Sequence, residues 1–182
     1  MSTDRLSTER LVLSPPEAGD AAAVFAVAGD PRTVAHNPSD MLMNEQAADE
    51  LLTRWIQHWD EHGFGYWCVR LHRSDQLIGY SGIKRMTSRG QPVLNLIYRF
   101  TPEVWGNGYA TEAGTAVVDW ASQQLPAETL LARVRPENHP SRNVALKLGL
   151  RRDPELDENG EDGPDLAFSN RLRSGCADGI FG

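Results

Sequence analysis

Between Tyr98 and Ala113 an apolar strand ends, Pro102 turns the chain, and a Gly106-Asn107-Gly108 loop opens directly into a helix. No other stretch constrains the fold as tightly. Two glycines at a helix start let the backbone approach an anion with no side chain in the way, and the first-turn amides and helix dipole add roughly half a positive charge there. The loop is read as a pyrophosphate site. A P-loop is excluded, because it needs Gly-Lys-Ser/Thr after the second glycine and the chain has Gly108-Tyr109-Ala110. A dinucleotide loop fits better, with Glu128 about 20 residues on, where a ribose-binding acid is expected. Against it, Thr111 stands at the third glycine position and the preceding elements do not start a doubly wound sheet. The remaining alternative is a tight strand-to-helix turn with no ligand.

The flanking sequence sets this loop in a mixed context. A short strand is expected at Glu9 to Ser14 and a helix from Glu17 to Ala28. The clearest helix runs from Asn44 to Asp60, where Ala48, Leu51, Leu52, Trp55, Ile56 and Trp59 fall on one face behind an Asn44 cap. Apolar runs at Tyr66 to Leu71, Leu77 to Ile83 and Val93 to Phe100 read as an antiparallel meander, the last two separated by a loop from Thr87 to Pro92. The 3.6 period returns from Gly106 to Gln124, followed by a strand at Thr129 to Val134 and a short helix from Pro140 to Leu148 stopped by Gly149. This order implies a parallel strand pair with a helical crossover beside the meander. An acidic loop, Asp153 to Asp165, leads to a last strand at Leu166 to Leu172. One domain is expected over residues 1–172, with a mobile tail at 173–182.

Composition narrows the class of function. The 182 residues carry a net charge of −7, which argues against a phosphate-backbone partner and favours a cationic one such as an amine. No apolar run approaches a membrane span and no leader precedes the first strand, so a cytoplasmic protein without membrane contact is expected. Cys68 and Cys176 form no C-x-x-C pair and no zinc spacing, so neither a disulfide framework nor a metal is expected.

The segment Trp105-Gly106-Asn107-Gly108-Tyr109-Ala110 resembles the pyrophosphate loop of the GNAT acyltransferases, Arg/Gln-x-x-Gly-x-Gly/Ala, with tryptophan where Arg or Gln usually stands. Its continuation through Thr111-Glu112-Ala113 is similar to the branch that holds the ribosomal-protein-alanine N-acetyltransferases. A second match, Asn138-His139-Pro140-Ser141 followed by a helix ending Lys147-Leu148-Gly149-Leu150, resembles the Asn-x-x-Ser motif of that branch. The resemblance implies an α+β fold: a mixed, mostly antiparallel twisted sheet of six or seven strands flanked by about four helices. It also implies acyl transfer from acetyl-CoA, or another acyl-CoA, to a primary amine on a small molecule or a protein N-terminus, by direct attack in a ternary complex. Oligomeric state stays open, with a homodimer among the options.

By the same resemblance the backbone of Tyr98, Arg99 and Phe100 would pair with the pantetheine arm. The loop formed by Trp105, Gly106, Asn107, Gly108, Tyr109, Ala110 and Thr111 would hold the pyrophosphate. Asn138 would contact the pantetheine, and Ser141 would protonate or hydrogen-bond the departing thiolate, unless it serves only to satisfy a first-turn amide. The base is not legible: the family's strand glutamate falls at Asn95, which takes no proton, and Glu112, Glu137, Tyr98 and His139 do not separate. His36, His58, His62 and His72 read as surface or loop residues. Trp55 and Trp59 read as core, and Arg133, Arg135 and Arg142 are available to balance phosphate charge. Two other classes stay open, a CoA-binding module without turnover, favoured by Asn95, and a dinucleotide-binding oxidoreductase.

Overall fold

The computed structural model describes residues 4–171, so the tail expected at 173–182 lies outside the described residues. Three strands, β3 (Tyr66–Leu71), β4 (Leu77–Ser88) and β5 (Gln91–Phe100), form the antiparallel meander at the centre. The loop expected from Thr87 to Pro92 is instead part of the ladder, with Thr87 paired to Pro92 and Ser88 to Gln91. Arg89 and Gly90 alone make the turn, at φ 49° and 76°, the left-handed pair that matches strand twist in a two-residue hairpin.

On one side β1 (Leu6–Ser7) and β2 (Leu11–Ser14) extend the sheet, and on the other lie β6 (Leu130–Val134), β9 (Gly163–Ser169) and β7 (Arg151–Arg152). A short β8 (Glu158–Gly160) pairs with β9. Among the described residues there are nine strands, more than expected, because β1, β7 and β8 are too short to display a period. The last strand also starts earlier, at Gly163 inside the stretch expected to be loop. A sheet with this order is not doubly wound, which removes the dinucleotide-fold reading.

Each face is covered by a pair of helices. On one face α1 (Ala21–Ala28), preceded by a 3-10 turn over part of the helix expected from Glu17, packs with α2 (Glu45–His62). Val24, Val27, Leu52 and Trp55 are buried there against Tyr66, Cys68 and Tyr80. Asn44 Oδ1 accepts the Ala47 amide at 2.9 Å and caps α2 as its sequence predicts. On the opposite face α3 (Tyr109–Gln124) and α4 (His139–Lys147) bury Ala113, Val117, Ala121 and Ala145 against Leu94, Leu96, Phe100, Ala132 and Val134. Among the described residues no helix is long and apolar enough to cross a membrane.

The parallel pair β5 and β6 positions the site. It is joined only at Leu94–Leu130 and Asn95–Leu131, after which both strands run on without pairing. The sheet therefore splits between them and leaves main-chain groups of β5 without a neighbouring strand.

Candidate active site

A cleft of about 670 Å³ opens where β5 and β6 part, and both faces of the sheet contribute to it. The phase of β5 follows from its end, where the Thr101 amide donates to the Ile78 carbonyl at 2.9 Å. By strand alternation the main chain of Arg99 faces β4, whereas that of Tyr98 and Phe100 faces the opening. The Phe100 carbonyl already accepts from the Trp105 indole at 2.8 Å, leaving its amide and both groups of Tyr98 for a ligand.

The glycine loop borders this opening on the α3 face. Gly106 and Gly108 have φ of 78° and 80°, a conformation that disfavours any residue with a Cβ. The ladder of α3 begins with the Glu112 amide on the Gly108 carbonyl, so the amides from Gly106 to Thr111 have no protein acceptor among the described residues. Asn107 braces the loop by donating to the Val104 and Trp105 carbonyls at 3.0 and 3.2 Å. Arg10 supports it from behind, bonding the Asn107 carbonyl at 3.0 Å, pairing with Glu112 at 2.6 Å and lying 4.5 Å from the Tyr109 ring centre. Partial burial raises the Glu112 pKa, but its bonds from Thr8 and Arg10 outweigh that and hold it below the ordinary value. Glu112 is thus a structural anion, not a free base. The cradle of unpaired amides fits a pyrophosphate.

Asn138 and Ser141 stand on the same face at the start of α4. Asn138 is the cap: its Oδ1 accepts the Ser141 amide at 3.1 Å. The Ser141 hydroxyl donates to Tyr98 Oη at 3.2 Å, and Tyr98 in turn donates to the Ser141 carbonyl at 2.9 Å. Burial pushes the Tyr98 pKa up to about 12, so its phenol stays protonated and its proton is held by a carbonyl. Ser141 gives its proton only to a phenol oxygen, so that donor is the easier one to redirect to a thiolate.

The opposite wall is polar and charged. Asn95 bridges Tyr66 Oη, to which it donates at 3.1 Å, and Arg133 Nε, from which it accepts at 3.3 Å. The Arg99 side chain turns away from the loop, pairing with Asp40 at 2.7 Å and donating to Tyr80 Oη at 3.3 Å. Arg135 is buried, with Asp165 at 3.2 Å, Asp162 at 3.8 Å and the His36 carbonyl at 3.2 Å. It serves these acids instead of a phosphate. Arg142 donates to the Pro136 carbonyl at 3.3 Å. Asp165 was missed in the sequence, where it reads as one acid of a loop, yet it lines the cleft. Burial raises its pKa above the usual carboxylate value despite the opposing pull of Arg135 and Arg133.

His58 is buried, not a surface residue: Nδ1 contacts the Phe64 carbonyl at 2.8 Å and Nε2 accepts the Arg85 amide at 3.3 Å. Trp55 and Trp59 are core residues as expected, Trp59 donating from its indole to the Tyr66 carbonyl at 3.0 Å. Glu128 pairs with Arg85 at 2.9 Å.

Comparison with known proteins agrees with this arrangement. The family profile described as an acetyltransferase (GNAT) domain matches residues 10–151. A Bacillus subtilis protein named as an uncharacterized N-acetyltransferase, YoaA, is 28% identical over 81% of this chain and 83% of its own length. The crystal structure of an acetyltransferase from Agrobacterium tumefaciens superimposes with a TM-score of 0.78 at 27% identity, covering 94% of this chain and 96% of that one. A ribosomal L7/L12 α-N-protein acetyltransferase, solved in complex with coenzyme A, shares the fold at a TM-score of 0.71 and 11% identity, over 89% of this chain and 94% of that one.

Proposed function

The chain belongs to the GNAT acetyltransferase family, and on that premise we propose that it transfers an acyl group, acetyl by default, from acyl-CoA to a primary amine by direct attack in a ternary complex. N-acetyltransferase activity follows from the family and its relatives; donor, acceptor and residue roles are our reading. The observation that carries it is the opening between β5 and β6. It gives a thioester reaching in from the α3 and α4 face access to an amine on the other.

In this reading the amides of Gly106 to Thr111 hold the pyrophosphate, and the main chain of Tyr98 and Phe100 pairs with the pantetheine arm. Asn138 keeps its side-chain amide for the same arm while its carbonyl caps α4. The amine lone pair attacks the thioester carbonyl, the C–N bond forms and the C–S bond breaks. The amine proton passes to Asp165, directly or through water, and the Ser141 hydroxyl supplies a proton or hydrogen bond to the departing thiolate. A covalent cysteine route has no support in Cys68, whose thiol is buried under α1 and α2 and pushed well above the ordinary thiol range by that burial.

Calorimetric titration with CoA, alongside NAD, and thiol release from acetyl-CoA with a panel of amines test this. CoA should bind, NAD should not, and thiol release should depend on amine. The second reading, a CoA-binding module without turnover, rests on Asn95 standing where the family's glutamate is expected. CoA binding with no amine-dependent thiol release would favour it.

A further inference from the structure

We infer that the amine acceptor carries a carboxylate close to its reacting nitrogen, and that Arg133 binds that carboxylate. This rests on the transferase reading above and adds the class of acceptor. The wall of the cleft away from the glycine loop holds several arginines, and nearly all are neutralised within the protein. Arg99 pairs with Asp40 at 2.7 Å, and Arg135 with Asp165 at 3.2 Å and Asp162 at 3.8 Å. Arg32 pairs with Asp30 at 2.6 Å and Glu103 at 2.9 Å. Arg133 has no carboxylate partner among the described residues. Its polar contact there is the 3.3 Å bond from Nε to Asn95 Oδ1. Arg133 is exposed and lines the cleft, and its Nη1 and Nη2 groups have no acceptor among the described residues. Arg133 acts on Asp165 only through space and forms no ion pair of its own, so an incoming anion finds this guanidinium free to bind it.

The shape of the anion follows from the donor. A guanidinium fork matches the two oxygens of a carboxylate with parallel N–H bonds. Distance sets how near that carboxylate lies to the amine. Arg133 pairs with Ala167 across β6 and β9, so Asp165, two residues along β9 on the same face, is its diagonal neighbour, with backbones about 7–8 Å apart. A molecule with amine and carboxylate a few bonds apart can present one to Asp165 and the other to Arg133. A neutral amine filling the cleft would cover the Nη groups of Arg133 and offer them no acceptor, which is unfavourable. Free amino acids and peptides beginning with aspartate or glutamate both offer this chemistry.

The test is thiol release from acetyl-CoA with matched acceptors: free amino acids, their carboxamides, and short peptides beginning with Asp, Asn, Glu or Gln. Acceptors with the carboxylate should show the lower KM, and whether free acids or acidic peptides lead identifies the source. Arg133→Ala should raise KM for the preferred acids roughly ten- to hundredfold, the loss of a charged bidentate contact. The acid-to-amide ratio should then fall towards one, and Arg133→Lys should restore part of it. Melting temperature and CoA affinity, measured beside the kinetics, separate this from misfolding. Equal use of acids and amides by the native protein, or a ratio unchanged in Arg133→Ala, overturns the inference and leaves the transferase standing. CoA binding with no thiol release to any amine overturns the transferase reading and this inference with it.

Discussion

The Ser141 amide is already satisfied by Asn138 Oδ1, so the serine hydroxyl is not needed to cap α4. Ser141→Ala should therefore lower kcat by roughly ten- to a thousandfold, the range of a positioned proton donor, with little change in melting temperature. Asn138→Ala should cost about 1 kcal/mol of stability, as cap removal does. Steady-state kinetics and melting curves on the two variants separate the roles, and a normal kcat in Ser141→Ala would remove it from the mechanism. At Gly108 a Cβ would meet nothing closer than Arg10 Nη2 at 3.7 Å, so the obstacle to substitution is the φ of 80° and not a clash. Gly108→Val should cost about 1–3 kcal/mol through that strain and displace the loop amides. Calorimetry should show CoA affinity lost, and an unchanged affinity would place the pyrophosphate elsewhere. The loop was legible in the sequence because left-handed backbone has a residue type that accepts it. Arg133 and Asp165 were not, since each becomes part of the cleft only through the pairing of β6 with β9, a contact between residues some thirty positions apart.

Periodicity made α2 legible along its apolar face, yet the same pattern concealed His58, a polar residue one turn beyond Trp55 that also points inward. Its environment is explicit only in three dimensions. His62 meets its ring edge-to-face at 4.4 Å between ring centres, Phe64 supplies the acceptor and the Arg85 amide occupies the other nitrogen. Burial lowers its pKa below the ordinary 6.5, the Phe64 carbonyl pulling the other way and the charges of His62 and Lys84 adding to the fall. Below pH 6.5 the unfolded chain takes up a proton that the folded chain resists. Stability from this site is thus full above about pH 6.5 and declines as pH falls from there through the folded-state pKa. Melting temperature should drop between pH 7.5 and 5, by about 2–4 °C for each kcal/mol lost, and His58→Leu should flatten that slope. An identical slope in the variant would assign the effect to other groups. The hairpin between β4 and β5 was hidden for a related reason. Pro92 and the polar residues around Arg89 read as loop, but Pro92 needs no ladder amide where it sits near the strand start.

At the scale of the whole molecule, the split between β5 and β6 divides the cleft into a wall with open backbone amides and a wall of side-chain charge, and Arg135 holds the second wall together. From just past the end of β6 it reaches the His36 carbonyl in the loop after α1, Asp165 on β9 and Asp162 in the turn before β9, while Asp162 also accepts the Ser39 hydroxyl at 2.5 Å. One guanidinium thus ties the loop after α1 and the start of β9, segments distant in sequence, to the end of β6. Arg135→Met should destabilise by about 3–5 kcal/mol, because Asp165, buried like its partner, loses its ion pair and keeps only the weaker pull of Arg133. Adding Asp165→Asn should recover part of that loss by removing the charge. The pair of variants also tests the proton acceptor. Arg135 lowers the Asp165 pKa against the raising effect of burial, so its removal must send that pKa higher. If Asp165 takes the amine proton, kcat/KM in Arg135→Met should lose activity at a higher pH than in the native protein as acid is added. The double variant should stay inactive on acceptors whose amine is protonated at neutral pH, however stable it becomes. An acid limb that stays in place in Arg135→Met would leave Asp165 as a structural partner of Arg135 and move the search for the base to water held by Asn95 and Tyr66.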